Sequence, residues 1–270
     1  MQNVPNIFQS VIVLAITSLL LLALPVIAAL VWRRRAKPSF VPLFLGAAGF
    51  LLFARVLELG VHMVCIVMDN PVSRTILSST PLYVLYGASM AGIFEECGRY
   101  VFLRFTMKKH RGREDYVMYG IGHGGIEVFV ILMGILSYLV TAVLLMLQGP
   151  EATGKMLDPT GAGNIGPALE AAASFGPMMG LLNIVERVLV MSAHISLTLV
   201  VAYGLDTGKS RLYLPLAILA HALVDVFAAL YQRGAVSMLL CEGWVLLWAV
   251  LLAVWAVRLY KKLNTSPANS

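Results

Sequence analysis

Charge is what this sequence has least of. Asp, Glu, Lys and Arg make up 13% of its 270 residues against 59% hydrophobic residues, and its mean hydropathy is +0.84. An ordinary soluble domain carries about 25% charged residues. So little charge cannot cover a water-facing surface, which excludes a soluble domain and points to an integral membrane protein. Cysteine is scarce as well. Cys65, Cys97 and Cys241 are odd in number, lie within apolar runs and include no CxxC, so neither a disulfide framework nor a thiolate metal site is available. They read as small buried apolar side chains. No basic region precedes the first apolar run and "WRRRAK" follows it, which describes an N-out anchor and not a cleaved signal peptide. The zinc-protease signature HExxH is also missing, so no motif by itself assigns a metal.

What the sequence has is apolar length. Runs at about 7–32, 41–68, 81–105, 116–147, 177–205, 212–231 and 236–257 are each long enough to cross roughly 30 Å of hydrocarbon. Backbone groups in lipid must pair within their own segment, so each run is predicted to be a helix. The expected architecture is an all-α polytopic membrane helix bundle of about seven spans, one integral domain over 1–270 with the chemistry-bearing core at 81–232. One long connection, 148–176, is rich in Gly, Ala and Pro and reads as a flexible external spacer, within which "PALEAAASF" can form a short interfacial helix.

The formal charge of +6 would suit a nucleic-acid binder, but the positions of the basic residues say otherwise. Fourteen lysines and arginines follow the first, third, fifth and seventh runs, and only Arg74, Lys155 and Arg233 fall between the others. That asymmetry fits the positive-inside rule, with the N-terminus outside and the C-terminus cytoplasmic. The basic charge is a topology signal, and no nucleic-acid partner is expected.

Against this apolar background the ionisable residues inside the runs stand out. The second run holds Arg55, Glu58 and His62; the third, Glu95, Glu96 and Arg99; the fourth, His123 and Glu127; the fifth, Glu186, Arg187 and His194; the sixth, His221 and Asp225. Each ion at the centre of a span costs about 2.5 to 3.5 kcal/mol on insertion scales, so such residues face the bundle interior or water. Glu95 and Arg99, His123 and Glu127, and His221 and Asp225 are each four apart, on one helix face. Counting ~1.5 Å per residue from the basic loops puts Glu95, His123, Glu127, His194, His221 and Asp225 all at roughly 10 to 20 Å depth. A common level on four helices predicts one polar cavity in the cytoplasmic half of the membrane. Arg55 with Glu58, and Arg187 with Glu186, read instead as local ion pairs, and His62 as a satisfied packing histidine. Gly120, Gly122, Gly124 and Gly125 around His123 favour close approach of backbone or substrate.

The chemistry this set can perform is hydrolysis of an amide within the membrane. Arg99 can keep a carboxylate ionised, as a general base toward water requires. Adjacent glutamates point about 100° apart on a helix, so one is expected to line the cavity and the other to pair with Arg99 or a backbone group. His123, Glu127, His194 and His221 can supply a three- or four-ligand metal site with an open position, leaving Glu95 or Glu96 as base. In a metal-free version the glutamate activates water and the histidines stabilise the oxyanion. Glu127 and Asp225 can orient His123 and His221 or act as ligands. The residues alone leave both versions open. The same acids and imidazoles also suit a proton- or cation-coupled carrier or a silent scaffold or immunity protein, although no repeated halves with broken spans are evident.

"EECGR" (Glu95, Glu96, Arg99), "HGGIE" (His123, Glu127), "ERVLVMSAH" (Glu186, His194) and "HALVD" (His221, Asp225) together resemble the YhfC family of intramembrane metalloproteases, which is itself similar to PrsW-type and CAAX-type intramembrane proteases. The resemblance spans the third to sixth runs. It implies a metalloprotease of the bacterial cytoplasmic membrane acting on a membrane-embedded peptide or protein; the candidate metal is Zn2+, with His123, His194 and His221 the candidate ligands by residue type, and the family label itself is not evidence of bound zinc. The prenyl-protease pattern spaces its arginine one residue further and often ends in HxxxN, so prenylated substrates are not implied.

Overall fold

The computed structural model describes residues 6–161 and 163–264. These residues form nine helices, and no strand occurs among them. They are α1 (Ile7–Ala36), α2 (Val41–Val67), α3 (Pro71–Ser78), α4 (Thr80–Phe105), α5 (Arg113–Leu157), α6 (Gly166–Ala173), α7 (Pro177–Asp206), α8 (Ser210–Gln232) and α9 (Met238–Tyr260). Six are long and apolar enough to cross a membrane, and counting the pair α3 and α4, bent by 110°, as one broken span brings the number to seven. The all-α membrane bundle expected from the apolar runs is thus what forms. The N- and C-termini themselves, whose sidedness the charge pattern predicts, lie outside the described residues.

Helix ends follow local chemistry. The Asn70 side chain accepts from the backbone of Val72 and Ser73, and the Ser73 hydroxyl accepts in return from the Asn70 N–H, closing a capping box ahead of Pro71 at the first turn of α3. Within α5, Gly149 takes a left-handed conformation, with φ at 77°, that only glycine adopts cheaply. Pro150 then starts a further helical stretch that runs to Leu157. With α6 following, the expected spacer 148–176 is largely helical, because Pro at a first turn and the alanines of "PALEAAA" favour helix more than glycine content opposes it.

α2 departs from regular geometry. Leu51–Glu58 and Met63–Val67 are π-helical, flanking a short α stretch, Leu59–His62. Bonding from i to i+5 widens the turn, so side chains three apart no longer stack. Arg55 is exposed, and Glu58 pairs instead with His62 at 3.2 Å. The expected Arg55 to Glu58 pair is therefore corrected, while His62, expected as a satisfied packing histidine, is satisfied by Glu58 and by Tyr86 at 2.8 Å.

The chain falls into two compact units. One comprises Met1–Leu24 and Val128–Arg187 and has its core at Leu14, Leu21, Leu132 and Phe175. Within it Ser10 Oγ donates to the Ala173 carbonyl at 2.7 Å, and Glu186 and Arg187 form the expected local pair at 2.6 Å.

The other unit, Pro25–Glu127 with Val188–Ser270, holds every other residue singled out for the site. Its core is built on Tyr116, Met118, Tyr119, Leu197, Val200 and Leu252. Two glycines let neighbouring backbones reach α5 beside His123. A Cβ on Gly122 would lie 1.9 Å from the Leu43 carbonyl oxygen of α2, and one on Gly120 would lie 2.6 Å from the Ile195 Cα of α7. At one end of this unit Trp32 Nε1 donates to the Glu114 carbonyl at 2.9 Å, Arg113 N to the Asn264 carbonyl at 2.9 Å, and Tyr116 Oη to Asp206 at 2.9 Å. The end of α1, the start of α5, the end of α7 and the end of α9 thus meet where the basic loops are, as the alternating charge requires.

Candidate active site

Four helices bring the predicted residues together. Glu95, Glu96 and Arg99 come from α4, His123 and Glu127 from α5, His194 from α7, and His221 and Asp225 from α8. Glu95, Glu96, Arg99, His123, His194 and His221 are buried, and Glu127 and Asp225 are partly so.

Arg99 organises the group. Its Nε donates to Glu96 Oε2 at 2.9 Å and its Nη2 to Glu96 Oε1 at 3.1 Å. Nη1 donates to the His194 carbonyl at 2.9 Å and to the Thr198 hydroxyl, and Nη2 also approaches His194 Nδ1 at 3.2 Å. All five guanidinium N–H groups are thereby used, which is what a fully buried arginine needs. The carboxylate held by Arg99 is Glu96, three residues away, and not Glu95, four away.

Each imidazole is matched to a carboxylate from another helix. His123 Nε2 lies 2.9 Å from Glu95 Oε2, His221 Nδ1 lies 2.7 Å from Glu96 Oε1, and His194 Nε2 lies 2.5 Å from Glu127 Oε2. An ionised carboxylate only accepts, so the facing nitrogen carries the proton in each pair. That sets the tautomers. His194 receives Arg99 at Nδ1 and donates from Nε2, while His221 donates from Nδ1 and turns Nε2 toward Asp225 Oδ2 at 3.5 Å. His123 Nδ1 is buried without a hydrogen-bond partner. The Phe50 ring meets the His123 ring edge-on, with centroids 5.3 Å apart, and fixes its plane.

Glu95, His194 and His221 each offer a ligand atom, and the three atoms lie within 4.8 Å of one another. This group can hold a metal ion. It differs from the His123, His194 and His221 set expected from the sequence, since Glu95 takes the place of His123. The His123 and His194 rings are 4.9 Å apart and the His194 and His221 rings 5.5 Å, so His123 borders the group without belonging to it.

The site has one wetter edge. Asp225, with a side chain 33% exposed, also lines a cavity of about 350 Å3 walled by α2, α4 and α8. The lining reaches Tyr83 and Gln232, at the start of α4 and the end of α8. The sequence count puts the cluster nearer the basic loops, whereas this cavity approaches it from the opposite end of those helices. Sequence reasoning passed over Thr198, which sits one turn beyond His194, and over Tyr86 in the cavity wall. A hydroxyl four residues from a buried histidine, in "HISLT", was the available signal for the first.

The profile of the family described as YhfC intramembrane metalloprotease matches residues 20–245. The membrane protein YhfC of Bacillus subtilis (strain 168) is 33% identical over 230 residues, which is 85% of this chain and 88% of that protein. No solved structure matches the chain. A match across four-fifths of the sequence, taking in all four polar helices, decides the family: this chain belongs to the YhfC family, the one described as YhfC intramembrane metalloprotease.

Proposed function

We propose that the chain hydrolyses a peptide bond of a membrane-embedded or juxtamembrane substrate in the bacterial cytoplasmic membrane. The observation that carries this reading is the donor group Glu95, His194 and His221, buried in a membrane protein yet backed by carboxylates from neighbouring helices. Structural polar residues need neutralisation, which one ion pair supplies. Orienting two imidazoles with separate carboxylates goes beyond that need and is the usual support of metal ligands.

The donor set fits a divalent metal. Mixed imidazole and carboxylate ligands at this spacing suit Zn2+, and when bound it would acidify a water and polarise the scissile carbonyl. Glu95, His194 and His221 would hold it, with Arg99 or Glu127 yielding one nitrogen of His194. The protein's own groups do the rest. Glu96 fixes the His221 tautomer, and Arg99 fixes Glu96. His123 donates to Glu95 and holds its carboxylate in place. Glu96 is fully engaged by Arg99 and His221, so neither oxygen is open to water. Asp225, the most exposed acid of the cluster, takes the proton of the attacking water at Oδ2 and returns it to the leaving amine.

The test is membrane proteomics of a deletion strain complemented with wild type or with Glu95→Gln. A fragment restored by wild type and absent with the variant supports a protease. Identical fragment sets in the two complemented strains would reject it and favour a carrier or scaffold.

A further inference from the structure

The cavity beside Asp225 contains a second polar cluster that the hydrolytic chemistry does not use. His62 Nε2 lies 3.2 Å from Glu58 Oε1, and His62 Nδ1 lies 2.8 Å from Tyr86 Oη. The carboxylate accepts, so Nε2 carries the imidazole proton, and the Tyr86 hydroxyl donates to Nδ1. Nearer the mouth, Tyr83 Oη donates to Gln232 Oε1 at 2.8 Å, and Arg233 lies over the Tyr83 ring at 5.3 Å, held by the Leu77 carbonyl at 3.0 Å.

The hydrogens of this cavity are therefore spent on its own walls. Tyr83, Tyr86 and His62 each give their proton to a neighbour, and only the Gln232 amide keeps donors to offer. What faces the interior is accepting capacity: the Glu58 carboxylate, shared with His62, the Asp225 carboxylate, shared with His221, and two phenolic oxygens, of which that of Tyr86 is also engaged with the Cys65 thiol. No lysine or arginine is among the described residues lining it. Its volume of about 350 Å3 falls in the range of small-ligand sites, roughly 300 to 1,000 Å3, and exceeds what a few waters need. Gly87, Ala88 and Ala91 leave one wall without bulk, and a Cβ added at Gly87 would meet nothing within 4 Å. An occupant that brings donors and positive charge matches this lining.

Resting on the peptidase reading, we infer that this cavity is a specificity pocket for a basic side chain of the substrate, a lysine or arginine near the scissile bond. A long aliphatic stem lets such a residue run along apolar wall while its head reaches buried acceptors. In a membrane-spanning substrate this pocket offsets the cost of carrying the charge, so a basic residue in an otherwise apolar span becomes a recognition mark.

Full-length protein in lipid nanodiscs tests the pocket. The probes are dye-labelled single-span Leu/Ala peptides carrying one Lys at successive positions, and the same peptides with norleucine instead. Wild type is expected to bind one Lys peptide about tenfold or more tighter than its norleucine match, the usual weight of a hydrogen bond to a charged group. n-Butylammonium should displace it. Glu58→Gln should erase most of that ratio, and Gly87→Leu, which fills the cavity from an open position, should do the same should the first variant fold poorly. Equal binding of every pair by wild type, or a ratio unchanged in a folded variant, overturns the inference. Hydrolysis is followed in the same samples. Selective binding without cleavage supports the pocket and counts against the peptidase, and cleavage without selectivity does the reverse.

Discussion

Arg99 and Glu96 lie one turn apart on α4 as a two-point ion pair, 2.9 and 3.1 Å, with both side chains wholly excluded from solvent. Neither charge is stable there alone. Glu96 also fixes His221, and Arg99 also fixes His194, so the pair ties three helices together. Removing one member should cost about 3 to 5 kcal/mol because the other stays buried and charged. Arg99→Leu is expected to lower the melting temperature in detergent sharply. The double variant Arg99→Leu, Glu96→Leu should recover part of that loss while remaining inactive, which thermal unfolding and a cleavage assay would show together.

Under the proposed mechanism Glu95 and Asp225 should separate in their effects. Glu95→Gln keeps the shape and can still pair with His123, so the protein should fold, yet both bound metal and turnover should fall. Asp225→Asn should retain metal and lose turnover by about 100-fold or more, the usual weight of a general base. Elemental analysis beside turnover per folded molecule checks both. Equal turnover of Asp225→Asn and wild type would remove Asp225 from the proton path.

Metal content distinguishes the histidines. Purified protein should retain about one equivalent of zinc per chain, and His194→Ala or His221→Ala should lose it. His123→Ala should keep the stoichiometry while weakening activity through Glu95, because His123 borders the donor group without entering it. Exhaustive chelation should stop turnover, and readdition of zinc should restore it.

Gly122 tests the packing that seats His123. A methyl there meets the Leu43 carbonyl oxygen at 1.9 Å, which backbone cannot yield cheaply. Gly122→Ala should destabilise by about 1 to 3 kcal/mol through overpacking, despite alanine's better helix propensity. Gly134→Ala in the same helix, where a Cβ meets nothing within 4 Å, should be neutral or slightly stabilising. Melting curves of the two variants make the comparison.

Much of this protein is legible in one dimension. The spans follow from apolar length, because lipid leaves the backbone no alternative to helix. The alternation of helix directions follows from where the basic residues stop. Shared depth of Glu95, His123, His194 and His221 also follows from counting, since rise per residue is constant. What counting cannot reach is rotation about each helix axis and the choice of neighbour, which are settled by packing between residues far apart in sequence. His123 stands four from Glu127 and pairs with Glu95; Glu127 reaches His194 instead. Arg99 stands four from Glu95 and pairs with Glu96. Arg55 stands three from Glu58, but the widened turns of α2 part them and give Glu58 to His62. The cavity over Asp225 is further still from sequence, since it exists only where three helices fail to fill the space between them. Composition and spacing thus decided the membrane bundle and the ionisable residues at a common level, while helix rotation and packing decided which acid meets which base.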